Sequence, residues 1–106
     1  MGRLYYDGMA VLDIDDRTLA HVRAAVMAKL RRGEKFTFSW QVPAEQGSGR
    51  NTIWIHPAIP LRFQFRVAPG ALNAAWVEQL LVAAHSTGGL VLVPEPDSGR
   101  KSEGAP

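Results

Sequence analysis

Apolar and polar residues alternate cleanly at three places along the chain and recur at helical spacing at two others. In "KFTFSWQV", Phe36, Phe38, Trp40 and Val42 face one way, and Lys35, Thr37, Ser39 and Gln41 the other. This period of two marks a half-buried strand. "NTIWIHP" is a second strand, stopped by Pro57. "LRFQFRV" is a third, with Leu61, Phe63, Phe65 and Val67 on one face and Arg62, Gln64 and Arg66 on the other. Nearer the N-terminus, "RLYY" and "MAVLDI" flank Asp7-Gly8. Asp-Gly between apolar runs predicts a hairpin, because a type I′ turn needs positive φ at both central residues.

The segment "DDRTLAHVRAAVMAKLRRG" predicts a helix. Asp15 or Asp16 can cap it, basic residues crowd its last turn, and Gly33 can end it. Leu19, Val22, Val26 and Leu30 form its apolar stripe, with Arg17, His21, Arg31 and Arg32 on the opposite face. Asn73 can cap a second helix, whose stripe is Trp76, Val77, Leu80, Leu81 and Ala84, and Gly88-Gly89 ends it. "LVLV" then reads as a short strand buried on both sides. The order is ββ-α-βββ-α-β. The expected architecture is α+β, a mostly antiparallel sheet with both helices packed on one face. One domain is expected over 1–94, and "EPDSGRKSEGAP" predicts a flexible polar tail over 95–106.

With 106 residues, the chain suits one core. It has no cysteine, which removes disulfides, thiolate catalysis and Cys-based zinc sites and fits a cytoplasmic location. No apolar run is long enough to span a bilayer, and the N-terminus lacks a secretory signal, so no membrane association is expected. The net charge is +2, with nine arginines against three lysines. Arginine suits bidentate contact with phosphate. The same bias, with many alanines, is also what a GC-rich genome produces.

Chemistry concentrates on a surface rather than in a motif. If Ile53 and Ile55 point inward, Trp54 and His56 share the outer sheet face with Lys35, Thr37, Arg62 and Arg66. An aromatic among basic and small polar groups on an open sheet is how several domains hold single-stranded nucleic acid. The competing reading is a ring packed on cross-strand neighbours among solvated arginines. Arg17, Arg31 and Arg32 on the first helix, extended by Lys35, offer a second basic track, or an ordinary solvated helix face. The histidines His21, His56 and His85 share no metal spacing, and Asp13, Asp15 and Asp16 have simpler roles closing the hairpin and capping the helix. No metal or cofactor is expected. Tyr5-Tyr6-Asp7-Gly8 has the Asp-Gly of the Lys-x-Asp-Gly signature of enzymes adenylated on lysine, with Tyr5 in the lysine position.

At "KLRRGEKFTFSW", "TIWIHP", "ALNAAWVEQL" and "GLVLVPEP", the chain resembles a small actinobacterial domain family of unknown function. Its members are often labelled ATP-dependent DNA ligase. The likeness runs from Met1 to about Pro96. It implies an accessory domain in nucleic-acid metabolism and no ligase activity, since no later ligase motif follows Tyr5. The expected function is a non-catalytic nucleic-acid-binding module, with Trp54 stacking a base and Arg62, Arg66, Lys35, Arg31 and Arg32 contacting phosphates. The alternative is a protein–protein or homo-oligomeric module using the same face, since Trp and Arg also favour interface hot spots.

Overall fold

The computed structural model describes residues 1–42, 44–86 and 88–96. Its elements are β1 (Gly2–Tyr6), β2 (Met9–Ile14), α1 (Asp16–Arg31), β3 (Phe36–Gln41), a 3-10 turn (Ala44–Gln46), β4 (Arg50–Ile55), β5 (Leu61–Gln64), α2 (Ala74–His85) and β6 (Leu90–Val91). The α+β class and the order ββ-α-βββ-α-β are as expected. The strands, however, form two three-stranded sheets, ordered β2-β1-β5 and β4-β3-β6. All pairings are antiparallel except the parallel β3–β6 pair.

The β1–β2 hairpin follows from its turn. Asp7 and Gly8 have φ of 51° and 87°, the double positive φ that Asp-Gly supports. Asp7-Gly8 therefore has a complete structural role in this chain. The same turn also fixes where β5 goes. Asp7 N donates to Pro60 O at 2.9 Å, and β1 pairs with β5 from Tyr6↔Leu61 to Arg3↔Gln64. A turn at His56–Ile59, closed by Ile59 N to His56 O at 3.0 Å, carries the chain away from β4. Consequently β4 and β5, consecutive in sequence, lie in different sheets.

Asp15 caps α1, accepting from Thr18 N at 3.0 Å and from Thr18 Oγ1 at 2.7 Å. Asp16 instead accepts from Arg66 N and Val67 N, which ends the strand pattern at Gln64 and leaves Val67 exposed. Asn73 caps α2, accepting from Ala75 N at 3.0 Å. Gly33, with φ of 72°, follows the end of α1.

One core joins the layers. Leu4 from β1, Leu19, Val22 and Val26 from α1, Phe36, Phe38 and Trp40 from β3, Ile55 from β4, Trp76 and Leu80 from α2, and Leu90 from β6 are all buried in it. The alternation expected of β3 is thus observed. Full burial of a side chain such as Phe38 contributes about 2–3 kcal/mol. Two positions depart from expectation. Ser39, on the supposed outer face, is buried, bridging to Thr52 Oγ1 at 2.8 Å beside β6. Only Leu90–Val91 of "LVLV" pairs as a strand, at the edge of its sheet.

Candidate nucleic-acid interface

Trp54 lies on β4 opposite Thr37, on the face away from Ile55. Its side of the strand has no core to enter, and it stays 46% exposed. The strand end beneath it is fixed by the Tyr6 hydroxyl, which donates to Trp54 O at 2.7 Å across the two sheets. Trp54 borders a cleft of about 630 Å³, whose wall includes Lys29, Lys35, Thr37 and His85. The C-terminal ends of both helices meet there, which is where basic side chains are electrostatically favoured.

Lys29 is the residue of this cleft that sequence reasoning missed. It is buried, yet its ammonium lies 2.6 Å from Glu34 Oε1, as a close ion pair without the alignment of a regular hydrogen bond. It also approaches His85 Nδ1 at 3.4 Å. That contact with Lys29 holds the Glu34 carboxyl below the usual carboxylate range, against partial desolvation. A signal was present: Lys29 falls three residues after Val26 and seven after Val22, on the buried stripe.

The remaining expected residues converge on Trp54 only in part. Lys35 shares its cleft, and Arg31 and Arg32 are exposed at the adjoining end of α1, with Arg32 Nε 3.5 Å from Glu34 Oε2. His56 accepts Ala58 N–H on Nδ1 at 3.0 Å and shapes the turn after β4. Arg62 and Arg66 sit on β5 and just beyond it, in the other sheet, so the single face expected for Trp54, Arg62 and Arg66 does not exist. Alternation along a strand says which residues share its face but not which strand lies beside it.

Arg17 is engaged within the molecule. Its Nε and Nη2 donate to the two Glu95 oxygens at 2.9 and 2.7 Å, and Nη1 donates to Ala71 O. Asn73 Nδ2 donates to Glu95 Oε2 and Pro96 O. The first two residues of the expected tail are therefore tied to α1 and α2, and 97–106 lie outside the described residues. Arg17, and then Asn73, depress the Glu95 carboxyl to about 2. A depressed carboxyl stabilises the fold above its unfolded value and loses that contribution as pH falls through its folded value. The melting-temperature advantage of the wild type over Glu95→Gln should thus be full above pH 4.5 and shrink toward pH 2. A gap that stays constant across that range would contradict the pairing.

His21, expected on the solvated face of α1, is 0% exposed. Its Nδ1 donates to Arg17 O at 2.7 Å, its Nε2 accepts from Asn73 N at 2.7 Å, and its ring lies 4.4 Å from that of Trp76. It is a structural pin between the helices. This departs from the expected basic face because the group that binds Nε2, Asn73 N, lies 52 residues further along the chain.

Tyr5 is the second residue that sequence reasoning missed. It faces outward from the β2-β1-β5 sheet opposite Arg62, whose Cζ lies 4.6 Å from its ring centroid. Only the β1–β5 pairing reveals this.

Fold and surface together define a small α+β domain with a half-exposed tryptophan beside a cleft lined by Lys29, Glu34, Lys35 and His85. The chain belongs to the family described as a domain of unknown function, DUF7882, whose model matches residues 1–95. No curated protein and no solved structure shows significant similarity to it. Among the described residues, no helix is long and apolar enough to cross a membrane.

Proposed function

We propose that this domain is a non-catalytic, cytoplasmic module that binds single-stranded nucleic acid. A base stacks on Trp54, while Lys35, Arg31 and Arg32 take phosphates along the adjoining end of α1. The observation that carries this reading is the exposure of Trp54 at the mouth of a cleft edged by Lys35, on a strand end held by Tyr6. An exposed indole held by a rigid sheet gives a stacking platform at little entropic cost, and nearby cations supply the sequence-independent attraction. Adenylyl transfer to this chain is not proposed, because Tyr5 stands in the lysine position and is taken up by Arg62 and Gln64.

Trp40 and Trp76 are 5% and 4% exposed, so quenching of tryptophan emission by an added oligonucleotide reports chiefly on Trp54. Wild-type protein should bind single-stranded DNA or RNA with an affinity that falls steeply with salt. Trp54→Ala should weaken binding by about 1–3 kcal/mol while leaving the melting temperature nearly unchanged. Equal binding by the variant would remove Trp54 from the site.

A second reading rests on β4 lying at the edge of its sheet, where its free rim could pair with a second copy or a protein partner. Concentration-dependent mass by light scattering, with no response to oligonucleotide, would favour it.

A further inference from the structure

The outer face of the β2-β1-β5 sheet holds a second arrangement, separate from the Trp54 cleft. Tyr5 and Arg62 are direct cross-strand partners, as are Arg3 and Gln64. The Arg62 guanidinium lies over the Tyr5 ring at 4.6 Å, and the Tyr5 hydroxyl donates to Gln64 Oε1 at 3.1 Å. Arg3 pairs with Asp13 at 2.7 Å and Arg17 with Glu95, whereas Arg23, Arg31 and Arg50 form no ion pair among the described residues. Among the described residues, Arg62 and Arg66 have no carboxylate within ion-pair distance. Arg66 instead borders a shallow cleft of about 380 Å³ with Arg3 and Gln64. A guanidinium already stacked on a ring loses little further freedom on binding, and its fork matches two oxygens of one phosphate.

We propose that this strip is a second contact for the nucleic-acid strand. Arg62 and Arg66 bind successive phosphates, Gln64 meets a sugar or base edge between them, and Tyr5 is a positioning residue that holds Arg62. The ligand class rests on the single-strand reading above, but none of these residues belongs to the Trp54 cleft. The complementarity is one of charge: two cations without a carboxylate partner among the described residues, Arg62 on the sheet face and Arg66 just beyond the strand, and a phosphodiester chain that carries one anion per nucleotide. Arg62 lies eight residues after Trp54, across one turn and in the other sheet, and the proposed track runs from one contact to the other.

Labelled oligonucleotides of about four and about sixteen nucleotides distinguish the two contacts, since single-strand sites fall within that range. Anisotropy would be measured at low and moderate salt for wild type, Trp54→Ala, Arg62→Ala and Tyr5→Leu. For the long oligomer, Arg62→Ala should lose about tenfold in affinity and lower the salt slope by about one. The short oligomer should be insensitive to Arg62→Ala and sensitive to Trp54→Ala. Tyr5→Leu keeps the charge but frees it, so affinity for the long oligomer should fall with the salt slope unchanged. Long-oligomer binding that Arg62→Ala leaves intact at both salts would overturn the second contact and spare the first. Absence of wild-type binding to either oligomer would overturn both.

Discussion

Replacing Gly89 by alanine should cost about 2–4 kcal/mol, against about 1 kcal/mol for the same change at Gly8. Both glycines have positive φ, +77° at Gly89 and +87° at Gly8, so both variants incur the left-handed penalty of about 1 kcal/mol. Their surroundings differ. A Cβ at Gly8 would meet nothing within 4 Å. One at Gly89 would collide with Thr37 Oγ1 and come within 2.7 Å of Thr37 O. Backbone oxygen in the neighbouring strand cannot rotate away, so β6 must move off β3 or β3 must bend, adding about 1–3 kcal/mol of overpacking. Urea denaturation of the two variants measures the difference directly. Thr37→Ala in the Gly89→Ala background removes the hydroxyl clash only, and should recover part of the loss. Equal midpoints for the two glycine variants would show that β6 does not dock on Thr37 this closely. The effect also bears on the candidate site. Thr37 is the cross-strand neighbour of Trp54, so the displacement reaches the cleft where the base is proposed to stack.

Gly89 also illustrates what is local in this sequence and what is not. As the second of two glycines after a helical stripe, it reads simply as a helix stop. Its close approach to Thr37 depends on the parallel β3–β6 pairing. The elements governed by near neighbours were all legible: the Asp7-Gly8 turn, the Asp15 and Asn73 caps, the α1 stripe of Leu19, Val22 and Val26, and the alternation of Phe36, Phe38 and Trp40. Trp54 could also be placed outside the core, because Ile55 one position on is a better core residue and a strand sends neighbours to opposite faces. Strand partners were not legible. "LRFQFRV" alternates identically whether it lies beside β4 or β1, and only the second arrangement separates Arg62 from Trp54 and brings it over Tyr5. Nor was the burial of His21, since its ring accepts from Asn73 N, 52 residues away.

His21 supports the second large prediction, with an expected loss of about 2–4 kcal/mol for His21→Leu. Leucine keeps much of the volume but offers no acceptor to Asn73 N, which is buried at the start of α2. Leaving such a donor unpaired costs about 1–3 kcal/mol. Lost ring contact with Trp76 adds about 0.5–1.5 kcal/mol. The melting temperature should fall on the order of 10–20 °C. His21→Gln separates hydrogen bonding from packing, because its amide oxygen can reach toward Asn73 N while the ring contact is gone, so it should melt between wild type and the leucine variant. The two bonds further require the neutral tautomer with the proton on Nδ1, since Nδ1 donates to Arg17 O and Nε2 must accept. Nitrogen-15 NMR of the imidazole should accordingly show an unprotonated Nε2. A protonated Nε2, or a leucine variant that melts with the wild type, would show that the helices are joined by apolar packing alone. The pin also bears on the C-terminal strap, because Asn73, held by His21 through its backbone, holds Glu95 and Pro96 through its side chain. Loss of His21 should therefore loosen the Arg17–Glu95 pair as well, and with it the pH dependence between 4.5 and about 2 that the pair confers. A leucine variant that retained that pH dependence in full would place the strap's anchorage in Arg17 alone.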